Sequence, residues 1–345
     1  LLVIARKCFL PLSKAFSKKS RKLGSARLFL YIYIMKKKVP SLLKEIQQKE
    51  LPKVDFSYQK NISYSQMSMF NECPKKWSLQ YKEGFKQFTS SIHTVFGTAL
   101  HETLQHYLTT MYSKSGAEAD RINTSELFEE NLREEYKKQY EANNKQHFSS
   151  PEELREFYED GIEIIRDFSK NRSKHFSKRG WHLIGCEVPL VLTPNPKYPN
   201  VMFQGFLDVV LYHEPTNRIK IIDIKTSRAG WNKKAKKDEQ KQFQLILYKK
   251  YFSEIYNVPL ENIEIEFFIV KRKLFESDKY VINRIQTFSP ASGKVKMNRV
   301  TKSITDFIEQ AFNREGFSDI DHQPQVNDNC KYCPFHRTHL CTATF

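Results

Sequence analysis

Three apolar runs stand close together near the middle of this chain, at residues 182–192, 202–212 and 218–225. Only turn-forming stretches separate them, PNPKYPN in the first gap and HEPTN in the second. Runs of this length bounded by Pro and Asn read as strands joined by turns, so they are expected to form a meander. A helix at about 236–256 follows, then a strand through 261–273, a strand at 279–287 and a helix near 296–313. A meander followed by strand–helix–strand predicts an α/β fold, a mixed sheet flanked by helices.

The residues ahead of the sheet carry helical periodicity. Met69, Phe70, Cys73, Trp77 and Tyr81 recur at helical spacing after Ser65, a residue type that caps first turns. Phe96, Leu100, Leu104 and Leu108 share one face of a second helix over 93–112. Residues 124–177 are charged and helical in pattern, with Pro151 suited to a first turn, and read as a helical insertion over about 113–180. Residues 35–60 read as a basic arm or linker. Ser292, Gly293 and Lys294 lack the upstream Gly and following Ser/Thr of a phosphate-cradling Walker loop.

The 345 residues are 40% apolar, enough for a sizeable core, and carry a formal charge of +17. That excess suits a polyanionic partner, nucleic acid or an acidic membrane surface, with a solvated basic surface as the plain alternative. Residues 1–34 hold eight Lys/Arg and no acid, and Met35 then opens what reads as an ordinary start. The leader is therefore expected to be translated upstream sequence or, failing that, a targeting segment. Removing its eight charges from +17 leaves +9. No apolar run approaches the ~20 residues of a membrane-spanning helix, so a soluble, cytoplasmic protein is expected.

Asp223 and Lys225 alternate along one strand and share a face, while Ile222 and Ile224 take the other. Asp208 ends the apolar run on the preceding strand, and a hairpin through 213–217 would bring Asp208 and Asp223 together. Carboxylates that close repel unless a cation lies between them, and hard oxygen ligands suit Mg²⁺ or Mn²⁺. Such a site activates a water and polarises a phosphate, with Lys225 orienting the water or neutralising charge. A surface hairpin with scattered charges is the alternative.

Six cysteines without a secretion signal argue against a disulfide framework. Cys8 lies in the leader, and Cys186 sits in an apolar strand where a buried thiol is expected. Cys73, Cys330, Cys333 and Cys341 remain, the number of thiolates that a zinc ion or an iron–sulfur cluster takes.

Taken in order, these motifs resemble the PD-(D/E)XK nuclease superfamily, in its RecB/Cas4-like branch with a [4Fe–4S] cluster. The resemblance runs from about Ser63 to Cys341: SYSQMSMFNECPKKWSLQY, FGTALHE, GFLDVVLY, IIDIKTS and QLILY follow one another as that branch's motifs do. It implies a restriction-endonuclease-like core over 61–345, with a cluster-binding tail at about 326–345 stapling the N- and C-terminal parts together. It also implies metal ligation by His101, Asp208, Asp223 and the Ile224 carbonyl. Catalytic roles fall to Asp208, Asp223 and Lys225, and Gln244 and Tyr248 become positioning residues. Cluster ligation falls to Cys73, Cys330, Cys333 and Cys341. The branch often spaces the last ligand so that it would land on His339, and Glu187 is either a second-metal ligand or a solvent-facing strand residue.

Lysines and aromatics interleave at Lys75, Lys76, Trp77, Tyr81, Lys82, Phe85 and Lys86, with Trp77 and Tyr81 expected to pack. Lys233, Lys234, Lys236 and Lys237, beside Thr226 and Ser227, are the expected phosphate contacts. The function implied is a Mg²⁺- or Mn²⁺-dependent DNA exonuclease on ends or single strands, in replication, recombination, repair or phage DNA metabolism. It would work near the nucleoid or in a host cytoplasm, with a helicase or recombination partner and no membrane. The alternatives are a Cas4-type nuclease of CRISPR adaptation, a non-catalytic DNA-binding subunit, or a zinc-stapled scaffold.

Overall fold

A computed structural model describes residues 41–85, 91–274 and 283–343. The leader at 1–34, Cys8, Lys86 and part of the expected strand at 279–287 lie outside the described residues. The chain divides into two compact units at residues 49 and 50. The described part of the first is a helix, Ser41–Gln48, where an arm was expected.

In the second unit the described residues form a six-stranded mixed sheet. Its strands are β1 (Lys60–Ile62), β2 (Trp181–Leu192), β3 (Val201–His213), β4 (Arg218–Ser227), β5 (Ile263–Lys271) and β6 (Ile285–Phe288). The meander is as expected: β2 and β4 both run antiparallel to β3, with Val209 opposite Ile222 and His213 opposite Arg218. A crossover then makes β4 and β5 parallel, and β6 returns antiparallel to β5. The addition is β1, which pairs in parallel with 201–203, although the linker reading reached residue 60. One edge of β3 is therefore shared by two strands, β1 at 201–203 and β4 at 209–213. Residues 204–208 have neither as a ladder partner. The sheet opens there.

The main helices are α1 (Tyr64–Glu72), α2 (Ile92–Ser113), α3 (Thr124–Ala142), α4 (Pro151–Asn171), α5 (Glu239–Tyr256) and α6 (Lys294–Ala311). The cap of α1 is Ser63, not Ser65: its hydroxyl accepts from the Gln66 amide at 3.3 Å. The expected single helix through Tyr81 breaks at Cys73, which is extended at φ −160° ahead of Pro74. A residue before proline is driven from the helical region, which is the physical reason. A π-helical turn at Ser78–Lys82 then shifts the phase, so Trp77 is buried as expected while Tyr81 stays 43% exposed. The expected helix at 236–256 is likewise two, Lys233–Lys237 and α5, because Asp238 turns extended and caps α5 through the Gln240 amide.

One sheet face is covered by α2, α3 and α4. Phe96, Leu100, Leu104, Phe128 and Phe168 meet Val209, Ile222, Ile224 and Phe268 in one core. Burying side chains of this size stabilises by about 2 kcal/mol each. On α5, the Tyr251 ring lies 4.7 Å from Phe203 of β3. Trp77 meets Phe70, Phe307, Phe312 and His322 edge-on, joining α1 to α6 and the C-terminal tail.

Candidate active site

The opening beside β3 is where the expected residues converge. Asp208 ends the unpaired stretch and turns its carboxylate across the gap, where Oδ2 accepts from the Ile224 amide at 2.7 Å. Asp223 and Lys225 flank that amide on β4, and Lys225 Nζ lies 2.7 Å from Asp223 Oδ2. On α2, His101 Nδ1 stands 3.7 Å from Asp208 Oδ2, and the ring lies beside the Ile224 backbone. Gly97, one turn earlier, faces Thr226, whose Oγ1 would lie 3.4 Å from a Cβ at that position. On α5, the Gln244 amide donates to the Tyr248 hydroxyl at 3.3 Å.

Three residues had less warning in the sequence. Glu187 adopts φ +52° within β2, a strained conformation for a non-glycine residue, and its carboxylate is near enough to feel the Asp223 charge. Gln105 holds it there: Nε2 donates to Glu187 Oε1 at 2.7 Å and to the Asp208 carbonyl at 3.0 Å. Gln105 sits one helical turn after His101, a spacing that could have revealed it. Tyr64, the first residue of α1, donates its hydroxyl to the Gln240 carbonyl and feels both the Asp238 and Asp223 charges.

The electrostatics of this cluster are one-sided. Burial, then the Asp223 charge, raises the Asp208 pKa well above its ordinary value against the pull of Lys225. Burial raises Asp223 and Glu187 too. Burial alone would depress Lys225, but the two aspartates outweigh it and its pKa is raised. Burial, helped by the Lys225 charge, pushes His101 down to about 4, so it is neutral near pH 7. One ammonium thus faces three carboxylates.

That imbalance is what a divalent cation would relieve. Asp223 Oδ2 is buried and, despite the nearby ammonium, makes no well-directed hydrogen bond. The donor set therefore fits a hard cation. Among the described residues, however, no group of three or more His, Cys, Asp or Glu side chains stands at metal-holding geometry.

Cys73, Cys330, Cys333 and Cys341 line one small cavity between the end of α1 and the tail, and His339 is not among its lining residues. Backbone amides point at the sulfurs, Lys76 and Gln325 at Cys73 (3.5 and 3.4 Å) and Asn327 at Cys330 (3.5 Å). Cys186 is buried in β2, as expected.

Of the expected phosphate contacts, Lys233, Lys234 and Lys237 are exposed, while Lys236 is half-buried with its ammonium over the Phe288 ring. Thr226 packs towards Gly97, and the Ser227 hydroxyl is used within its own turn by Gly230. No helix among the described residues is long and apolar enough to cross a membrane.

No curated protein matches the chain. A family model described as the PD-(D/E)XK nuclease superfamily matches residues 61–339, which include all of the sheet but Lys60 and every residue placed at the opening. Members of that superfamily are generally nucleases that use divalent metal ions such as Mg²⁺. Ordered motifs, a mixed sheet flanked by helices and an acid–acid–lysine cluster at the sheet's opening agree with that match: the chain belongs to the PD-(D/E)XK nuclease superfamily.

Proposed function

We propose that this protein is a Mg²⁺- or Mn²⁺-dependent DNA exonuclease acting on ends or single strands, in replication, recombination, repair or phage DNA metabolism. The carrying observation is the meeting of Asp208, Asp223 and Lys225 at a break in the sheet, with carboxylate charge in excess. Asp208, Asp223, neutral His101 and the Ile224 carbonyl would hold the ion, and Glu187 supplies further carboxylate charge. When bound, the ion polarises the scissile phosphate and lowers the pKa of water. Lys225 orients the nucleophile and neutralises charge developing on phosphate. Gln244 and Tyr248 position the strand, and the exposed lysines at 233, 234 and 237 contact its phosphates.

The exonucleolytic reading, and a helicase or recombination protein as companion, rest on the RecB/Cas4-like order of the motifs. The same resemblance, with four thiols around one cavity, supports a [4Fe–4S] cluster on Cys73, Cys330, Cys333 and Cys341.

Two measurements test these assignments. End-labelled DNA digested with Mg²⁺ or Mn²⁺ is expected to shorten with the wild type and not with Asp223→Ala or Lys225→Ala; cleavage surviving both substitutions overturns the site. Protein purified under nitrogen is expected to be brown, absorbing near ~400 nm. Colourless protein with stoichiometric zinc overturns the cluster.

A further inference from the structure

Beside the catalytic opening lies an open hollow of about 770 Å³ lined by Asn232, Lys233, Lys234, Lys237, Asp238 and Lys241. Four ammonium groups surround it and one carboxylate tempers them, Asp238, which is 3.9 Å from Lys241. The wall is fixed. Trp231 exchanges hydrogen bonds with Gln286 of β6 at 2.8 and 3.2 Å, and its ring lies 4.8 Å from Phe267, the residue opposite Asp223 in the sheet. Lys241 lies over that same indole.

A polar stripe joins the hollow to the carboxylates. Gln240, Gln244 and Tyr248 are spaced four apart on α5 and so share one face. Tyr64 stands across from the near end of this stripe, its hydroxyl on the Gln240 carbonyl, between the charges of Asp238 at the hollow and Asp223 at the opening. From Gln240 to Tyr248 is about 12 Å of helix, room for a short stretch of one strand.

We propose that this stripe and hollow form a track for one DNA strand, which runs from the scissile phosphate past Gln244 and Gln240 and seats its next phosphates among Lys233, Lys234, Lys237 and Lys241. The inference rests on the nuclease reading and adds a strand path, with Lys241, Asn232, Gln240 and Tyr64 as new contacts. Amide and hydroxyl side chains along the stripe suit sugar and phosphate oxygens. Its lysines stand around one concavity rather than spread over the surface, so their effect on binding is local.

The test is binding of a fluorescein-labelled oligothymidylate in EDTA, where no cleavage occurs, between about 50 and 200 mM salt. One variant carries Lys233→Gln, Lys234→Gln, Lys237→Gln and Lys241→Gln. A charge-matched control carries Lys137→Gln, Lys145→Gln, Lys170→Gln and Lys174→Gln, all exposed on or beside α3 and α4. At about 0.7 per phosphate contact on a single strand, the hollow variant is expected to lose about 2–3 from the slope of log affinity against log salt. The control is expected to lose less than about 1. A hollow variant with the wild-type slope, or two variants that fall equally, overturns the track. Metal-dependent cleavage by the wild type, measured in parallel, keeps the nuclease reading standing in that event. A wild type that neither cleaves nor binds removes both.

Discussion

Replacing Asp208 by Asn should stabilise the metal-free protein while abolishing its activity, because a group kept for a cation costs stability without one. Asp208 lies near the Asp223–Lys225 pair, whose opposite charges are 2.7 Å apart. At ~5–6 Å and an effective dielectric of ~20, each would act on Asp208 with about 3 kcal/mol, and the two largely cancel. What remains is the burial of the Asp208 charge, several kcal/mol for an ion left without its partner. Against that, Asn keeps an oxygen for the Ile224 amide and gives up only the charge assistance, about 1 kcal/mol. The balance is a gain of about 2 kcal/mol at pH 8, or roughly 3 °C in Tm for a chain of this size.

The pH dependence has a definite sign. The Asp208 pKa is raised in the folded protein, so between its unfolded value near 3.8 and its folded value the native state binds the extra proton. Metal-free wild type therefore loses stability as pH climbs through that window, and the advantage of Asp208→Asn opens over the same window and closes in acid. Thermal melts in EDTA across pH, repeated with Mg²⁺, read both effects. Mg²⁺ is expected to raise the wild-type Tm by linkage and leave the variant unmoved, with cleavage down by at least ~10²-fold. A variant less stable than wild type in EDTA at pH 8, or one still stabilised normally by Mg²⁺, would refute the reasoning.

Three further outcomes are expected. Gly161→Ala should lower the urea midpoint: helix propensity gains about 1 kcal/mol, but the new Cβ would sit 2.2 Å from the buried Phe128 ring, and such overpacking costs about 1–3 kcal/mol, so an unchanged or higher midpoint contradicts the helix contact. Arg272→Ala should cost about 2–4 kcal/mol, since it strips Asp160 of a partner at 2.5 Å and leaves only Lys273 at 2.9 Å; a loss below ~1 kcal/mol in chemical denaturation would show that Lys273 suffices. With the proposed cluster held through Cys73, Cys73→Ser should lose iron and lower Tm while Trp77 fluorescence stays blue-shifted, because the Phe70, Phe307 and Phe312 packing does not depend on the thiols; a red shift at moderate temperature contradicts that separation.

The strands from 182 to 225 were legible because their apolar runs and turn residues are local signals, and the acid–acid–lysine cluster followed from one hairpin. The end of α1 was less legible, since Pro74 outweighs a helical periodicity that continues past it. Tyr81 left the core because a π turn changed its phase, a feature that apolar spacing does not encode.

Residue order alone determined which chemistry was present: two aspartates, a lysine and four thiols, with a meander to carry the first three. Only tertiary structure decided that β1 and β4 share one edge of β3 and leave a gap, that Gln105 reaches across to Glu187, and that Tyr64 stands beside α5. Those contacts join residues tens of positions apart or more. Their energies depend on burial and on distances across packed elements, which no local pattern in the chain specifies.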